Sequence, residues 1–153
     1  MPDWPLIRGA RLGFSAKTTY GLQALLELAA VAGSGERLQV GEIAARQAIP
    51  ERYLEQMMTS LRRAGLLRSS RGARGGYQLA RPASEISLAE AIHCLEGEPA
   101  PSSAAGSSAE LQVISALAEE LQQQRRQRLE RTSLADLLQE RDSRAQAQAM
   151  YFI

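Results

Sequence analysis

Cysteine, histidine and aromatic residues are scarce in this sequence. Its 153 residues include one cysteine, Cys94, one histidine, His93, and 5% aromatic side chains. A single cysteine excludes an intramolecular disulfide, which fits a reducing compartment. The two residues are neighbours, and neighbours on a helix point about 100° apart, so they are poorly placed to act as nucleophile and base. Since several His and Cys metal ligands are also unavailable within one chain, the composition argues against an enzyme.

Long hydrophobic runs are also missing. The most apolar stretch, residues 22–31, is shorter than the roughly 18 residues that a membrane span needs, and it contains Gln23 and Glu27. The N-terminal sequence, Met-Pro-Asp-Trp-Pro, lacks the basic start and apolar stretch of a signal peptide. The glycine-rich segment 71–76 matches neither a phosphate-binding loop nor a dinucleotide fingerprint. We therefore expect a soluble, cytoplasmic protein without membrane contact.

The charged residues are unevenly distributed along the chain. The net charge is +1, but residues 1–81 hold 12 Lys and Arg against 6 Asp and Glu, whereas residues 82–153 hold 6 against 11. A basic half followed by an acidic half is typical of a nucleic-acid-binding head joined to a dimerisation or sensing module. The alternative is a chance difference between two solvated surfaces.

Apolar periodicity predicts three helices in the basic half. Ser15 can cap a largely buried helix over residues 17–32, a short helix covers 40–47, and a third covers 50–64 with Pro50 at its first position. The third helix has two faces, because apolar and polar residues each recur at helical spacing. The apolar face comprises Tyr53, Leu54, Met57, Met58 and Leu61, and the polar face Arg52, Glu55, Gln56, Thr59 and Arg63.

Two short strands are predicted after the third helix. Residues 66–69 and 77–80 have the pattern of strands, and the glycine-rich segment between them indicates a β-hairpin with a basic tip. Ser87 and Glu90 form a capping box that starts a fourth helix. Residues 97–109 are rich in Pro, Ser, Ala and Gly and are predicted to be a flexible linker.

The acidic half is predicted to contain a long helix. Ser107 and Glu110 form a capping box for this helix, and a second capping box, Ser133 with Asp136, starts a short final helix. The apolar residues of the long helix form one narrow seam, which consists of Leu111, Ile114, Leu117, Ala118 and Leu121. So narrow a seam cannot form a core alone and favours a partner helix from a second copy. The apolar end, residues 150–153, is expected to dock on the body or on the partner.

Three helices followed by a hairpin are the element order of a winged helix-turn-helix, so the predicted fold is mainly α with a small β-hairpin and a long dimerisation helix. In such folds the third helix enters the major groove of DNA. Residues 50–82 contain 7 Arg and 2 Glu, a local charge of +5 that suits phosphate and guanine. We divide the chain into four parts. Residues 1–13 are an irregular extension, 14–96 the winged head, 97–109 the linker, and 110–153 the dimerisation region with its tail.

The polar face of the third helix suggests individual roles in DNA binding. Arg52 can read guanine, and Gln56 can pair with adenine or bridge to phosphate. Glu55 can accept from the cytosine amino group, or it can instead pair with Arg52 or Arg62 or simply lie on a solvated face. Thr59 and Arg63 lie further along the helix and are expected to meet phosphates.

Three further basic residues are predicted DNA contacts. Lys17, near the N-terminus of the first helix, can place its charge on the DNA backbone, supported by the free N–H groups of that helix. Arg71 and Arg74 at the wing tip suit a narrow minor groove, whose negative potential favours arginine. The alternative for this tip is an exposed loop with no partner.

Several segments resemble the Rrf2 (BadM-like) family of transcription regulators, which includes the iron–sulfur-cluster biogenesis regulator and the cysteine-metabolism repressor. The resemblance covers about residues 14–138, through Phe14-Ser-Ala-Lys-Thr-Thr-Tyr20, Glu42-Ile-Ala44, Tyr53-Leu-Glu-Gln56, Leu61-Arg-Arg-Ala-Gly-Leu66, Arg71-Gly-Ala-Arg-Gly-Gly-Tyr-Gln-Leu79 and Thr132-Ser-Leu-Ala-Asp-Leu137. It implies a homodimer built on the long helix, a palindromic operator, and DNA contacts from residues 53–56 and Arg71. Ala48 stands where relatives commonly have the glycine of the turn, so we expect a less open turn.

The sequence departs from cluster-binding members of that family in its linker. Those members carry three cysteines between the fourth and fifth helices, and residues 97–109 contain none. Three thiolates therefore cannot hold a cluster within one chain. We expect no cofactor and interpret Cys94 as a packed structural thiol. A redox- or iron–sulfur-responsive regulator using Cys94 and His93 is an alternative, and a regulatory protein partner could also supply the signal.

The sequence as a whole predicts a homodimeric DNA-binding transcriptional regulator. We expect a repressor that covers promoter DNA, with its recognition helix in the major groove and its wing in the minor groove. A rival from another class is a protein-interaction module of winged-helix fold that does not bind DNA. Affinity for DNA that falls steeply with salt separates the two.

Overall fold

The computed structural model describes residues 13–97 and 104–151, which form six α-helices and one two-stranded antiparallel sheet. The elements are α1 (Ala16–Val31), α2 (Val40–Gln47), α3 (Glu51–Arg63), β1 (Leu67–Ser70), β2 (Gly76–Leu79), α4 (Leu88–Glu96), α5 (Ala109–Glu130) and α6 (Leu134–Tyr151). This confirms the mainly α fold with a small hairpin. Most of the predicted N-terminal extension and the middle of the predicted linker lie outside the described residues. None of the helices described is long and apolar enough to cross a membrane.

Helix α1 forms the centre of the hydrophobic core. Ser15 caps it by accepting a hydrogen bond from the backbone N–H of Thr18 at 3.1 Å, as the sequence predicts. Ala24 and Leu25 have no exposed surface, and α1 contacts α2, α3, α4 and α6. The apolar face of α3 packs into the same core through Leu54, Met57, Met58 and Leu61. Because burial of each such large side chain contributes about 1.5–3 kcal/mol, the core fixes how α3 lies on the domain.

The turn between α2 and α3 depends on a left-handed residue, Ala48. This alanine has φ 54° and ψ 47°, and the next residue, Ile49, donates its N–H to the carbonyl of Ala44 at 2.9 Å. We expected a less open turn in the absence of glycine; instead, alanine adopts the conformation that glycine would adopt. Pro50 is the N-cap residue of α3 and not, as predicted, its first helical residue, so the helix begins one residue later, at Glu51.

Replacing Ala48 with glycine is expected to stabilise the protein by about 1 kcal/mol. A Cβ in the left-handed region costs roughly 1–2 kcal/mol, and the larger entropy that glycine loses on folding removes part of the gain. Chemical unfolding measures the change. The control is Ala45→Gly in α2, where the backbone is helical and glycine should destabilise by about 1 kcal/mol. A loss of stability in both variants would contradict the strain at Ala48.

The hairpin is joined by a third extended segment. Strands β1 and β2 pair with Leu67 opposite Leu79, and Leu38 pairs with Tyr77 through two backbone hydrogen bonds of 3.0 and 2.8 Å. Gly76 has φ 143°, and a Cβ there would lie 2.7 Å from the carbonyl oxygen of Leu38, so this approach requires glycine. The wing is thereby anchored to the segment that enters α2, a link that the sequence did not predict.

Two predictions about the C-terminal helices are wrong. Helix α5 is capped by Ser108, whose hydroxyl accepts from the N–H of Leu111 at 3.2 Å, and not by Ser107. Helix α6 has 18 residues and is not short. Its predicted capping box is confirmed, because the N–H of Ser133 donates to Asp136 at 2.9 Å and the N–H of Asp136 donates to the Ser133 hydroxyl at 3.1 Å. The second half of α6 has no apolar stripe, so only its Ala, Gln and Arg content favours a helix.

The end of α6 is largely exposed in the single chain. Met150 is 72% exposed and Tyr151 is 85% exposed, so neither side chain is buried against the body. Docking on a partner stays a prediction, and residues 152–153 lie outside the described part of the chain.

Candidate nucleic-acid interface

The outward face of α3 carries most of the predicted DNA-contact residues. Arg52, Glu55, Gln56 and Arg63 are exposed, and Thr59 is half-buried. The hydroxyl of Thr59 donates to the backbone carbonyl of Glu55 at 2.9 Å, so it is turned along the helix. Glu55 makes no ion pair with any residue that the structure describes, which argues against its pairing with a neighbouring arginine. The face therefore offers both donors and acceptors for base edges.

Tyr53 lies beside the N-terminus of α1 rather than on the outward face of α3. Its half-buried ring packs edge-on against Tyr20, with the ring centroids 5.8 Å apart and the planes at 88°. Burial, and to a lesser extent the nearby Tyr20, raises the pKa of Tyr53, so its hydroxyl stays protonated. Tyr53 shares a shallow depression with Ser15 and Lys17. Two predicted contacts that are distant in sequence, Lys17 and Tyr53, are thus neighbours in space.

A buried threonine ties the start of α1 to the end of α4. Thr18 has no exposed surface, and its hydroxyl donates to the Oε1 of Glu96 at 2.7 Å. The hydroxyl of Ser15 lies 3.5 Å from the same oxygen. Lys17, which stands between Ser15 and Thr18 in the sequence, is exposed. This contact was not predicted from the sequence, where the one signal for it is the spacing of Thr18 with Leu22 and Leu25 on the buried face of α1.

The wing tip presents its two arginines to solvent. Arg71 and Arg74 are exposed on a loop in which Gly72 has φ 104° and accepts, through its carbonyl, the N–H of Gly75 at 2.9 Å. At the base of the wing, the guanidinium of Arg62 donates to the hydroxyl of Ser69 at 3.3 Å. This contact links the end of α3 to β1.

Arg81 does not belong to the basic surface predicted over residues 50–82. Its guanidinium pairs with both carboxylate oxygens of Glu90, at 2.6 and 2.9 Å, and also donates to the carbonyl of Glu85. The hydrogen bond to Glu90 is the main cause of a raised pKa of Arg81. Only one bond of the predicted capping box at α4 forms, from the N–H of Glu90 to the Ser87 hydroxyl at 3.1 Å. Without Arg81, the local charge falls from +5 to +4.

Cys94 and His93 occupy different surroundings on α4. Cys94 is half-buried and its Sγ donates to the carbonyl of Ser60 at 3.4 Å, whereas His93 is exposed. Burial raises the pKa of Cys94, partly opposed by the charge of Lys17. The sequence holds no second thiol, and the described residues contain no group of three His, Cys, Asp or Glu able to hold a metal ion. These donors do not fit an iron–sulfur cluster bound within one chain.

Cys94 is expected to react slowly with a soluble disulfide reagent. Since the thiolate is the reactive form, partial burial and a raised pKa should make the rate in the folded protein at least about tenfold lower than in the denatured protein. The rate should rise with pH as the thiol ionises. A spectrophotometric titration with an aromatic disulfide at pH 7–9, in buffer and in guanidinium chloride, measures both effects. Equal rates in the two states would contradict the packed thiol.

Helix α2, the turn at residues 48–50, α3 and the hairpin together define a winged helix-turn-helix domain, a class that binds DNA. The Rrf2 family model, described as an iron-dependent transcriptional regulator, matches residues 14–140. The chain belongs to this Rrf2 family of transcriptional regulators. Its relatives are regulators and not enzymes, as the composition predicts.

Individual relatives match a little more than half of the chain. The HTH-type transcriptional regulator IscR of Cereibacter sphaeroides is 45% identical over 83 residues, 54% of each protein. CymR of Bacillus subtilis is 41% identical over 87 residues, 57% of this chain and 62% of CymR. The match thus spans about half to three-fifths of these curated relatives.

Solved structures of two such regulators share the fold over a longer stretch. IscR of T. potens has a TM-score of 0.70 at 36% identity, covering 83% of this chain and 86% of that one. The structure of CymR, the global cysteine regulator of B. subtilis, has a TM-score of 0.69 at 32% identity, covering 83% and 96%. The similarity therefore extends beyond the head.

Proposed function

We propose that this protein is a homodimeric, sequence-specific DNA-binding repressor. Each protomer inserts α3 into the major groove and lays its wing tip in the adjacent minor groove, and the two heads bind the halves of a palindromic operator. The observation that carries the proposal is the two-sided character of α3. One face packs into the core through Leu54, Met57, Met58 and Leu61, and the other offers four polar side chains to solvent on a rigid support, namely Arg52, Glu55, Gln56 and Arg63.

On the outward face of α3, some side chains are suited to reading bases and others to contacting the DNA backbone. Arg52 can bind guanine O6 and N7, Gln56 adenine N6 and N7, and Glu55 the cytosine amino group. Arg63, about two to three turns further along, suits a phosphate. Thr59 can reach a phosphate only by giving up its bond to the backbone.

A second cluster supports backbone contact. Lys17 at the N-terminus of α1 and the neighbouring hydroxyl of Tyr53 are both suited to phosphate oxygens, and the helix dipole of α1 favours an anion there. Phosphate held at this point, together with α3 in the groove, fixes the register of the head on the duplex. A dimer bound across a promoter blocks access to that DNA, which makes repression the expected outcome.

Changes at Gln56 and Arg63 are expected to affect DNA binding in different ways. Operators are first selected from a random duplex pool with the full-length protein, and affinity is then measured by fluorescence anisotropy. Gln56→Ala should lose about 1–3 kcal/mol at one base pair per half-site and relax the preference there. Arg63→Ala should weaken binding to all sequences alike and lower the salt slope by about 1 per phosphate contact.

The matched control for Gln56→Ala is Gln139→Ala, an exposed glutamine on α6 that should leave affinity unchanged. Failure to enrich any sequence, together with binding that is insensitive to salt, would favour a protein-interaction module. Unchanged base preference in Gln56→Ala would show that α3 is not the reading element.

A further inference from the structure

A cavity of about 290 Å³ lies between α4 and the second half of α5, where the winged head meets the long helix. Gln122, Arg126 and Leu129 line it from one face of α5, because they recur at i, i+4 and i+7. The seam of α5, which consists of Leu111, Ile114, Leu117, Ala118 and Leu121, ends before the first cavity residue, Gln122. The cavity therefore lies beyond the seam along the axis of α5.

The lining combines apolar walls with a surplus of positive charge. Ala89, Ile92 and Leu129 supply apolar surface, and Arg125, Arg126 and Glu96 supply charge. The carboxylate of Glu96 already accepts the hydroxyl of Thr18 at 2.7 Å.

The two arginines of the cavity differ in their contacts. Arg125 donates to the carbonyl of Gly13 at 3.0 Å and lies 5.0 Å from the ring centroid of Phe14. Within the described ranges, Arg126 has neither a hydrogen bond nor an ion pair, so its guanidinium is the charged group of the lining that is open to a ligand.

We propose that this cavity binds a small organic anion, with its apolar body against Ile92 and Leu129 and its carboxylate on the guanidinium of Arg126. Guanidinium and carboxylate form paired, charge-assisted hydrogen bonds. The volume is near the lower limit for small-molecule sites, which restricts the ligand to the size of a short-chain carboxylic acid. Apolar walls with a single open cation select such an amphiphilic anion over inorganic phosphate, which has no apolar part to bury.

Occupation of the cavity is expected to alter operator affinity, and this part rests on the proposed function. Glu96, at the edge of the cavity, holds Thr18 of α1, and Arg125 holds Gly13 immediately before α1. The start of α1 also carries Lys17, beside Tyr53. A ligand that contacts both α4 and α5 therefore touches the groups that position a predicted phosphate contact.

The test is a titration of the full-length, ¹⁵N-labelled protein with hexanoate, followed by NMR. We expect saturable shifts that are largest in residues 89–97 and 122–129. Hexan-1-ol, which has the same chain without the charge, should bind at least about tenfold more weakly. Arg126→Ala should lose about tenfold or more in hexanoate affinity, and Arg126→Lys should recover part of the loss because lysine keeps the charge but not the paired geometry.

Arg128→Ala is the matched control, since Arg128 lies on α5 but does not line the cavity. Absence of saturable shifts, equal binding of hexan-1-ol, or an equal loss in Arg128→Ala would each overturn the anion site. The titration contains no DNA, so its outcome is independent of the proposed repressor function. If hexanoate binds as expected but the anisotropy of a selected operator does not respond to it, the anion site stands and its coupling to DNA is wrong.

Discussion

Replacing Leu117 with glutamate is expected to convert the protein from a dimer into a monomer. Leu117 is 58% exposed and Ile114 is 64% exposed in the single chain, on the side of α5 that also carries Leu121. Burial of an apolar side chain of this size contributes about 1.5–3 kcal/mol to dimer stability. Because the two protomers are related by a twofold axis, each substitution occurs twice in the interface. The dimer should therefore lose at least about 3 kcal/mol, or about a hundredfold in dissociation constant. Sedimentation equilibrium measures the change.

The control for charge is Gln123→Glu, which introduces the same carboxylate about 120° around α5 from Leu117 and outside the seam, because six residues correspond to about 600° of rotation. This variant should remain a dimer. Leu117 lies outside the hydrophobic core, so the helical circular dichroism of Leu117→Glu should match that of the parent. A parent protein that is monomeric at micromolar concentration, or a Leu117→Glu variant that still dimerises, would refute the role of the seam.

Loss of the dimer should carry a large loss of operator affinity. Two linked heads bind a palindrome with an effective concentration that a free head lacks, and such linkage contributes about 10²- to 10⁴-fold. The Leu117→Glu variant should therefore bind a full operator no better than a half-site. This comparison separates dimerisation from base reading, which the substitution does not touch.

Local signals explain why the head could be predicted from the sequence. The Ser15 cap and the apolar spacing of the first helix predicted residues 17–32, and the helix runs from Ala16 to Val31. The strands are displaced by one residue at most from the predicted ranges. The outward polar face of α3 followed from the same periodicity, because burial of one helix face determines the other. Caps, breakers and periodicity act within a few residues and can be read directly.

Contacts between distant residues could not be predicted in this way. Nothing near Arg81 indicates that Glu90 removes it from the basic surface, and nothing near Tyr53 indicates that Lys17 lies beside it. The second half of α6 lacks an apolar stripe, so periodicity gave no reason to extend the helix to Tyr151. At Ala48 a local signal was misleading. The absence of glycine predicted a less open turn, but the alanine adopts the left-handed conformation that glycine favours.

Replacing both Arg71 and Arg74 with alanine is expected to weaken binding to a selected operator by about ten- to a hundredfold. Both side chains are exposed at a tip that the Gly72–Gly75 hydrogen bond shapes, and a narrow A·T-rich minor groove concentrates negative potential that favours arginine. The loss should be greatest for operators with A·T-rich segments under the wing. The dependence of log K on log salt should also become shallower, since fewer cations are displaced. Anisotropy titrations at several salt concentrations measure both effects.

The double variant Arg141→Ala, Arg144→Ala tests whether position or net charge is responsible. It removes the same two positive charges, but from α6, where Arg141 pairs with Asp142 and Arg144 pairs with Glu140, each at 2.8 Å. Exposed pairs of this kind contribute less than about 1 kcal/mol, so the fold should tolerate their loss. If contact at the wing tip matters, only the wing variant loses affinity and its preference for A·T-rich segments. An equal loss in both variants would instead assign the effect to long-range attraction between the whole protein and DNA, because that attraction depends on total charge and not on where the arginines stand.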